Sequence, residues 1–132
     1  MARDDGLAFT GIDHFVLAVS DLEAACDFYA DLGAEVVTFG DDRLALSFGD
    51  QKINLHGPET DAGLVADLPR VGTGDFCLLT DAAPDAVVAT LRDRDVEIIE
   101  GPVDRTGAQG PMTSVYFRDP DGNLVEIATY DD

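Results

Sequence analysis

The chain of 132 residues is long enough to bury the core of one domain without a disulfide or a structural metal. Its 27 Asp and Glu residues outnumber its 8 Lys and Arg residues, which gives a net charge of −19. Such a charge repels nucleic acid and anionic lipid, so neither nucleic acid nor a membrane is expected as a partner.

The acidic residues are spread through a chain that is 45% hydrophobic, which indicates a folded domain with an acidic surface. Such a surface is typical of proteins from salt-loving microbes, in which salt screens the repulsion. The first residues, MARDDGLAFTG, lack the apolar segment of a secretion signal, and no stretch is long enough to span a membrane, so a cytoplasmic protein is expected. Cys26 and Cys77 are predicted to be reduced core residues, because their spacing fits no zinc site.

The first half of the chain reads as a strand, a helix and three further strands. Ile12–Val19 alternates like a strand, and Ser20 then begins a helix with Glu23 as the partner in a capping box. Gly33 is expected to end this helix. The remaining predicted strands are Ala34–Phe39, Arg43–Phe48 and Lys52–His56.

The second half repeats this order after an acidic connector, residues 58–72. The repetition is visible in DHFVL beside GDFCL and in AEVV beside VEII, so residues 11–57 and 73–130 are predicted to be two βαβββ units of one domain. A stretch with three glycines and two prolines, Gly101–Met112, is predicted to be a loop that serves as a lid. The predicted elements are a strand Asp75–Thr80, a helix Ala83–Arg94, a strand Val96–Ile99 and a hairpin of Thr113–Arg118 with Asn123–Thr129.

Side-chain alternation places five unusual residues on comparable strand faces. Residues two apart in a strand share a face, so Asn54 and His56 lie together in the last strand of the first unit. When the two units are aligned, Glu126 corresponds to Asn54, and Asp75 corresponds to His14. Pairing of the units about a pseudo-twofold axis would gather these side chains, and His, Asp and Glu together suit a borderline divalent cation.

The duplicated unit, the opening IDHFVLAVSDLEAACDFYADLGAEVV and the closing VYFRDPDGNLVEI resemble the vicinal-oxygen-chelate superfamily of glyoxalases, bleomycin-resistance proteins and dioxygenases. The chain is most similar to small single-module glyoxalase-domain proteins, and the resemblance runs from about Gly11 to Tyr130. It implies an α+β fold of duplicated βαβββ modules that form an incomplete barrel around a divalent metal, namely Zn, Ni, Mn, Co or Fe. It also implies a small-molecule substrate and a homodimer.

The resemblance assigns metal ligands to His14 and Glu126, with Glu126 also catalytic. Asp75 stands where the family commonly has histidine, and Asn54 stands where glyoxalase I enzymes have glutamate. The implied site is therefore either His14, Asp75 and Glu126 or a set in which His56 also contributes. Asn54 is then a candidate for binding substrate. A protein that sequesters a ligand without metal, as bleomycin-resistance members do, is the alternative function.

Three further residues are candidates for contacting substrate. Ser114 and Tyr116 match site-facing positions of fosfomycin-resistance members of the family, and alternation puts both on one face of their strand. Arg105 is placed either to meet an anionic substrate or to pair with a surface aspartate. The implied chemistry is a glyoxalase-like lyase or a dioxygenase reaction, in which a metal chelates neighbouring oxygens of a substrate.

Overall fold

A computed structural model describes residues 6–131, so Asp4 and Asp5, which entered the argument against a secretion signal, lie outside this range. No helix within the described range is long and apolar enough to cross a membrane. The elements are β1 His14–Ala18, α1 Leu22–Leu32, β2 Glu35–Phe39, β3 Arg43–Phe48, β4 Gln51–His56, β5 Asp75–Leu79, α2 Pro84–Asp93, β6 Ile98–Gly107, β7 Gly110–Arg118 and β8 Leu124–Tyr130.

The strands form two four-stranded sheets with the same topology. Sheet 1 has the order β1-β4-β3-β2, and sheet 2 has the order β5-β8-β7-β6. In each sheet the first and last strands of the unit pair in parallel, and the other pairs are antiparallel. The predicted α+β fold of duplicated βαβββ units is therefore confirmed, and the two sheets do not close into a complete barrel.

The first helix begins one residue later than the capping-box prediction. Asp21, not Ser20, is the N-cap, and its side chain accepts a hydrogen bond from the Ala24 backbone N–H. The Ser20 side chain and backbone N–H instead both bond to the Asp121 carboxylate of the second unit. The prediction was wrong because a neighbouring aspartate caps as well as serine does, and the tertiary contact occupies the serine.

The stretch predicted to be a loop, Gly101–Met112, forms most of a long β-hairpin. Strands β6 and β7 pair continuously from Val103 with Ser114 to Gly107 with Gly110. Glycine and proline here mark irregularities within strands, because Pro102 lies where the register of the pair shifts. Gly101 is required at this point, since it has a φ of 117° and a Cβ would lie 2.5 Å from the Ser114 carbonyl oxygen. The lid prediction was therefore wrong.

Both helices and one face of each sheet share a single hydrophobic core. In sheet 1 the core face carries Leu17 and Leu55, and in sheet 2 it carries Val125 and Phe117. Tyr29 of α1 is 1% exposed, and its neighbour Phe28 packs at 6.1 Å from the ring of Phe117 in sheet 2. Since the core uses one face of each sheet, the opposite faces are left for function. These are called outer face 1 and outer face 2 below.

Candidate functional site

Outer face 2 gathers five of the candidate site residues, Asp75, Arg105, Ser114, Tyr116 and Glu126. Glu126 of β8 lies between Tyr116 of β7 and Cys77 of β5 in the strand register. Alternation along β7 and β5 adds Ser114 and Asp75 to the same face. This face therefore carries a carboxylate, a hydroxyl, a phenol and a thiol within one small area.

Glu126 is held in place by a buried serine. The Ser114 hydroxyl donates a hydrogen bond of 2.6 Å to Oε2 of Glu126, and Ser114 is fully buried. A hydrogen bond from a neutral donor to a carboxylate fixes the direction of the carboxylate. Glu126 is half-buried, so its carboxylate faces the outer surface of the sheet with one oxygen already oriented.

Tyr116, which pairs with Glu126 in the strand register, contacts Arg105 on outer face 2. The Arg105 Nε donates to the Tyr116 hydroxyl at 3.0 Å, and its Nη2 forms an ion pair of 3.0 Å with Glu100. Partial burial raises the pKa of Tyr116, which keeps the phenol protonated. Because its oxygen already accepts from arginine, the phenolic O–H remains a donor for another group. The ion-pair partner of Arg105 is thus Glu100 on the same strand, a glutamate and not the surface aspartate considered from the sequence.

The prediction that Cys77 is a core residue was wrong. Cys77 is exposed, whereas Phe76 and Leu78 beside it pack against the core. The alternation of β5 turns Cys77 to outer face 2, so its apolar sequence neighbours were misleading. Cys26 is half-buried, and both thiols are free. Although Cys77 as a residue is exposed, partial burial of the thiol, and then the nearby Glu126 carboxylate, raise the pKa of Cys77 to about 11.

The raised pKa of Cys77 predicts slow alkylation at neutral pH. Only the thiolate reacts, so the rate of labelling by iodoacetamide should rise about tenfold for each pH unit up to about pH 10. An ordinary cysteine would level off near its pKa of about 8.5. The measurement is mass-spectrometric labelling of a Cys26→Ser variant against pH. A plateau below about pH 9 would show that the thiol is not perturbed.

Outer face 1 carries the remaining candidates, which are His14, Asn54 and His56. His14 is exposed, and its Nδ1 is bonded to the neighbouring Asp13 at 2.8 Å. Asn54 is only 7% exposed, yet its side-chain oxygen has no hydrogen-bond partner among the described residues. A buried amide oxygen without a donor costs about 1–3 kcal/mol. The side-chain oxygen of Asn54 is therefore available to accept a hydrogen bond on this face.

His56 forms a hydrogen bond with Arg43. Nη2 of Arg43 lies 2.9 Å from Nε2 of His56, and because arginine can only donate, that ring nitrogen accepts. Burial, and then the Arg43 charge, lower the pKa of His56 and keep the ring neutral. Its proton is then on Nδ1. A metal ion at Nε2 would have to displace Arg43, so this arrangement disfavours the alternative in which His56 replaces a missing ligand.

Two cations share one aromatic ring on outer face 1, and sequence reasoning missed both. The Nζ of Lys52 lies 3.5 Å from the centroid of Phe39, and the Arg43 guanidinium carbon lies 5.2 Å from it. Neither cation forms an ion pair within residues 6–131. The alternation that selected Asn54 and His56 also places Lys52 on that face.

The strand registers confirm that the two units are equivalent at these positions. Asn54 pairs with Val16, two residues after His14, and Glu126 pairs with Cys77, two residues after Asp75. Each outer face therefore holds one pair of candidate ligands. In the described part of the chain, however, no three His, Cys, Asp or Glu side chains are close enough together to hold a metal ion. The four candidate positions lie on two separate faces, two on each.

Residues 11–127 match the model of the Glyoxalase/Bleomycin resistance protein/Dioxygenase superfamily. The chain belongs to this superfamily. The match covers both βαβββ units and the connector between them, and it confirms the family that the sequence resembles.

The chain is similar to two curated relatives, one of them also solved as a crystal structure, and to one further solved structure. Virulence protein STM3117 of Salmonella typhimurium is 48% identical over 90% of this chain and 83% of the relative. Its crystal structure covers 95% of this chain and 100% of that chain with a TM-score of 0.91. Glyoxalase domain-containing protein RDO1 of Mycosarcoma maydis is 43% identical over 96% of this chain and 72% of the relative. Lactoylglutathione lyase from Agrobacterium tumefaciens is 28% identical, with a TM-score of 0.71 over 92% of this chain and 95% of that chain.

Proposed function

We propose that the protein is a metal-dependent enzyme of the glyoxalase and dioxygenase type that acts on a small oxygen-rich substrate. The observation that carries this proposal is Glu126, a half-buried carboxylate oriented by the buried hydroxyl of Ser114 and bordered by Tyr116. A carboxylate held by a neutral donor on an open face is suited to binding a cation. The same arrangement has no evident role in packing the core.

The candidate ligands fit a metal only if the two outer faces meet. Outer face 1 offers the His14 imidazole and, on the neighbouring strand, the Asn54 oxygen, which has no hydrogen-bond partner among residues 6–131. Outer face 2 offers Asp75 and Glu126. Imidazole and carboxylates together form a donor set suited to Zn, Ni, Mn, Co or Fe. Since the four positions lie on two separate faces, we infer a homodimer in which outer face 1 of one copy covers outer face 2 of the other.

The charges of the two faces support this pairing. Outer face 1 carries Lys52 and Arg43, which have no carboxylate partner among residues 6–131. Outer face 2 carries Glu126, Asp75 and Glu100, of which only Glu100 is paired with a cation within that range. In a chain with a net charge of −19, contact between these faces brings unlike charges together.

The residues of outer face 2 suggest how a substrate would be handled. A divalent cation there would act as a Lewis acid towards neighbouring substrate oxygens. Ser114 holds the Glu126 carboxylate in one direction, and the protonated Tyr116 offers its O–H to a substrate oxygen. The Nε of Arg105 donates a hydrogen bond to the Tyr116 hydroxyl and so holds the phenol in position. The free oxygen of Glu126 is suited to accept a proton from a carbon next to a carbonyl group.

A second candidate function is ligand binding without metal. It is favoured by Asn54, an amide that binds metal poorly at a position equivalent to Glu126, and by the cation that blocks His56. In that case the same paired faces would enclose a ligand without catalysing a reaction on it. The two functions differ in one measurable property, which is the amount of metal bound per chain.

Metal analysis of the purified protein tests the proposal. We expect about one divalent ion per chain after incubation with Mn, Ni, Co, Fe or Zn and removal of excess metal. His14→Ala and Glu126→Ala should each lose it. Glu100→Gln, which changes a carboxylate of the same face that is paired with Arg105, is the control and should retain it. A metal-free protein that still folds and pairs would support the second candidate instead.

A further inference from the structure

A cavity of about 540 Å3 lies between the connector, residues 58–72, and the edge of sheet 1. Val16 and Ala18 of β1 and His56 of β4 form one wall, and Leu64, Val65 and Leu68 of the connector contribute to the other. This volume suits a small organic molecule. No residue of outer face 2 lines the cavity, so within one chain it is separate from Glu126. Val16, Ala18 and His56 belong to outer face 1, which the dimer proposed above sets against the partner copy.

The charge of the cavity wall is opposite to that of the molecule. None of the lining residues is acidic, although Glu59, Asp61 and Asp67 belong to the same connector. The ionisable groups in the wall are instead Arg70 and His56. Arg70 has no carboxylate within 4.0 Å among residues 6–131. A cationic ligand would find no partner here, whereas an anionic ligand would meet a free guanidinium group.

The rest of the wall is apolar and exposed to solvent. Five of the eleven large hydrophobic residues that are exposed in the described chain line this cavity: Val16, Leu64, Val65, Leu68 and Val71. Exposed apolar residues concentrated in one concave place mark a binding site more often than chance exposure does. Residues 61–67 make no hydrogen bond with other residues of the range 6–131, so this wall can adjust to a ligand.

We propose that the connector cavity binds a small amphipathic carboxylate, with its hydrocarbon chain against the connector and its acid group on Arg70. His56 supports this orientation, because Arg43 occupies its Nε2 and leaves the proton-bearing Nδ1 on a side chain of the wall. The absence of acidic residues from the wall favours an anion over a neutral or cationic guest. Binding here needs no metal and no catalysed step, but part of the wall belongs to outer face 1, so in the dimer proposed above the cavity adjoins the shared site.

Octanoate is the probe, and backbone amide shifts of the uniformly labelled protein are the readout, in buffer that contains a chelator. Burial of the hydrocarbon chain of octanoate predicts a dissociation constant on the order of 1 mM or lower. The amide shifts should change in residues 64–73 and β1. Acetate, which has the charge without the chain, should not bind. Octan-1-ol, which has the chain without the charge, should bind roughly fivefold more weakly.

Charge reversal at Arg70 separates a local contact from general attraction. Arg70→Glu should weaken octanoate binding roughly tenfold. Arg92→Glu makes the same change of net charge on α2, outside the cavity, and should leave the affinity unchanged within about twofold. Equal losses in both variants, equal binding of octanol and octanoate, or shifts confined to other regions would overturn the proposal. So would a dimer in which the connector amides are protected from exchange and do not respond to octanoate.

Discussion

Equal amounts of the His14→Ala and Glu126→Ala proteins, mixed and allowed to exchange subunits, should bind about one quarter of the metal that the unsubstituted protein binds. Each variant alone should bind none. Metal binding returns in the mixture because each site takes His14 from one copy and Glu126 from the other. In a mixed dimer one site then carries both substitutions, and the second site carries neither.

The expected fraction comes from the statistics of exchange. Random pairing makes about half of the dimers mixed, and each mixed dimer has one intact site of two. The exchange should be done at high salt, because two copies with a net charge of −19 each repel one another and salt screens that repulsion. Metal content per chain and the oligomeric state after exchange are the two measurements.

A matched mixture gives the control. His14→Ala mixed with a chain that carries both His14→Ala and Glu126→Ala has no intact site in any dimer, so it should stay free of metal. If the first mixture also stays free of metal although its subunits exchange, the shared site is wrong. Binding by unmixed Glu126→Ala would instead show that Glu126 is not a ligand.

The sequence predicted the positions within each sheet but not the relation between the sheets. Strand alternation and the internal repeat correctly made Asn54 equivalent to Glu126, because both follow from the two-residue period of a strand. Whether two such faces meet inside one chain depends on how the units pack. That packing is set by contacts such as Phe28 with Phe117, which join residues far apart in the sequence.

The other failures have local causes. Gly101 and Pro102 are turn formers in isolation, but here they lie at a register shift inside a hairpin whose other residues pair regularly. Lys52 and Arg43 carried no sequence signal of their own in a chain where charge is common, and only the structure shows them against the same ring of Phe39. Local patterns therefore predicted the strands better than the groups that surround a ligand.

The largest loss of stability is expected from Asp119→Ala, in the DPDG turn, residues 119–122, before β8. Oδ2 of Asp119 accepts hydrogen bonds from the Tyr29 hydroxyl at 2.6 Å and from the Asn123 amide at 2.8 Å. Oδ1 accepts from the backbone N–H groups of Asp121 and Asn123. Asp119 is 7% exposed. Removing it leaves several buried donors unpaired, so the free energy of unfolding should fall by about 3 kcal/mol or more.

Tyr29→Phe tests one of these bonds by itself. It removes the hydroxyl that joins α1 of the first unit to the turn of the second, and it should cost about 1.5–3 kcal/mol. Burial, and then the bond to Asp119, raise the pKa of Tyr29. The unfolded chain therefore loses this proton more readily, and stability should fall as the pH rises above about 10. The Tyr29→Phe protein should lack that part of the pH dependence.

Urea unfolding of both variants, beside Asp27→Ala, separates this network from the effect of charge. Asp27 is an exposed residue of α1, and its replacement removes the same charge, so the change should stay within about 0.5 kcal/mol. If Asp119→Ala is no more destabilising than Asp27→Ala, the turn does not join the two units. A large loss would mean that the turn joins the two units, as its bonds to Tyr29 and the contact of Asn123 with Gly74 just before β5 indicate.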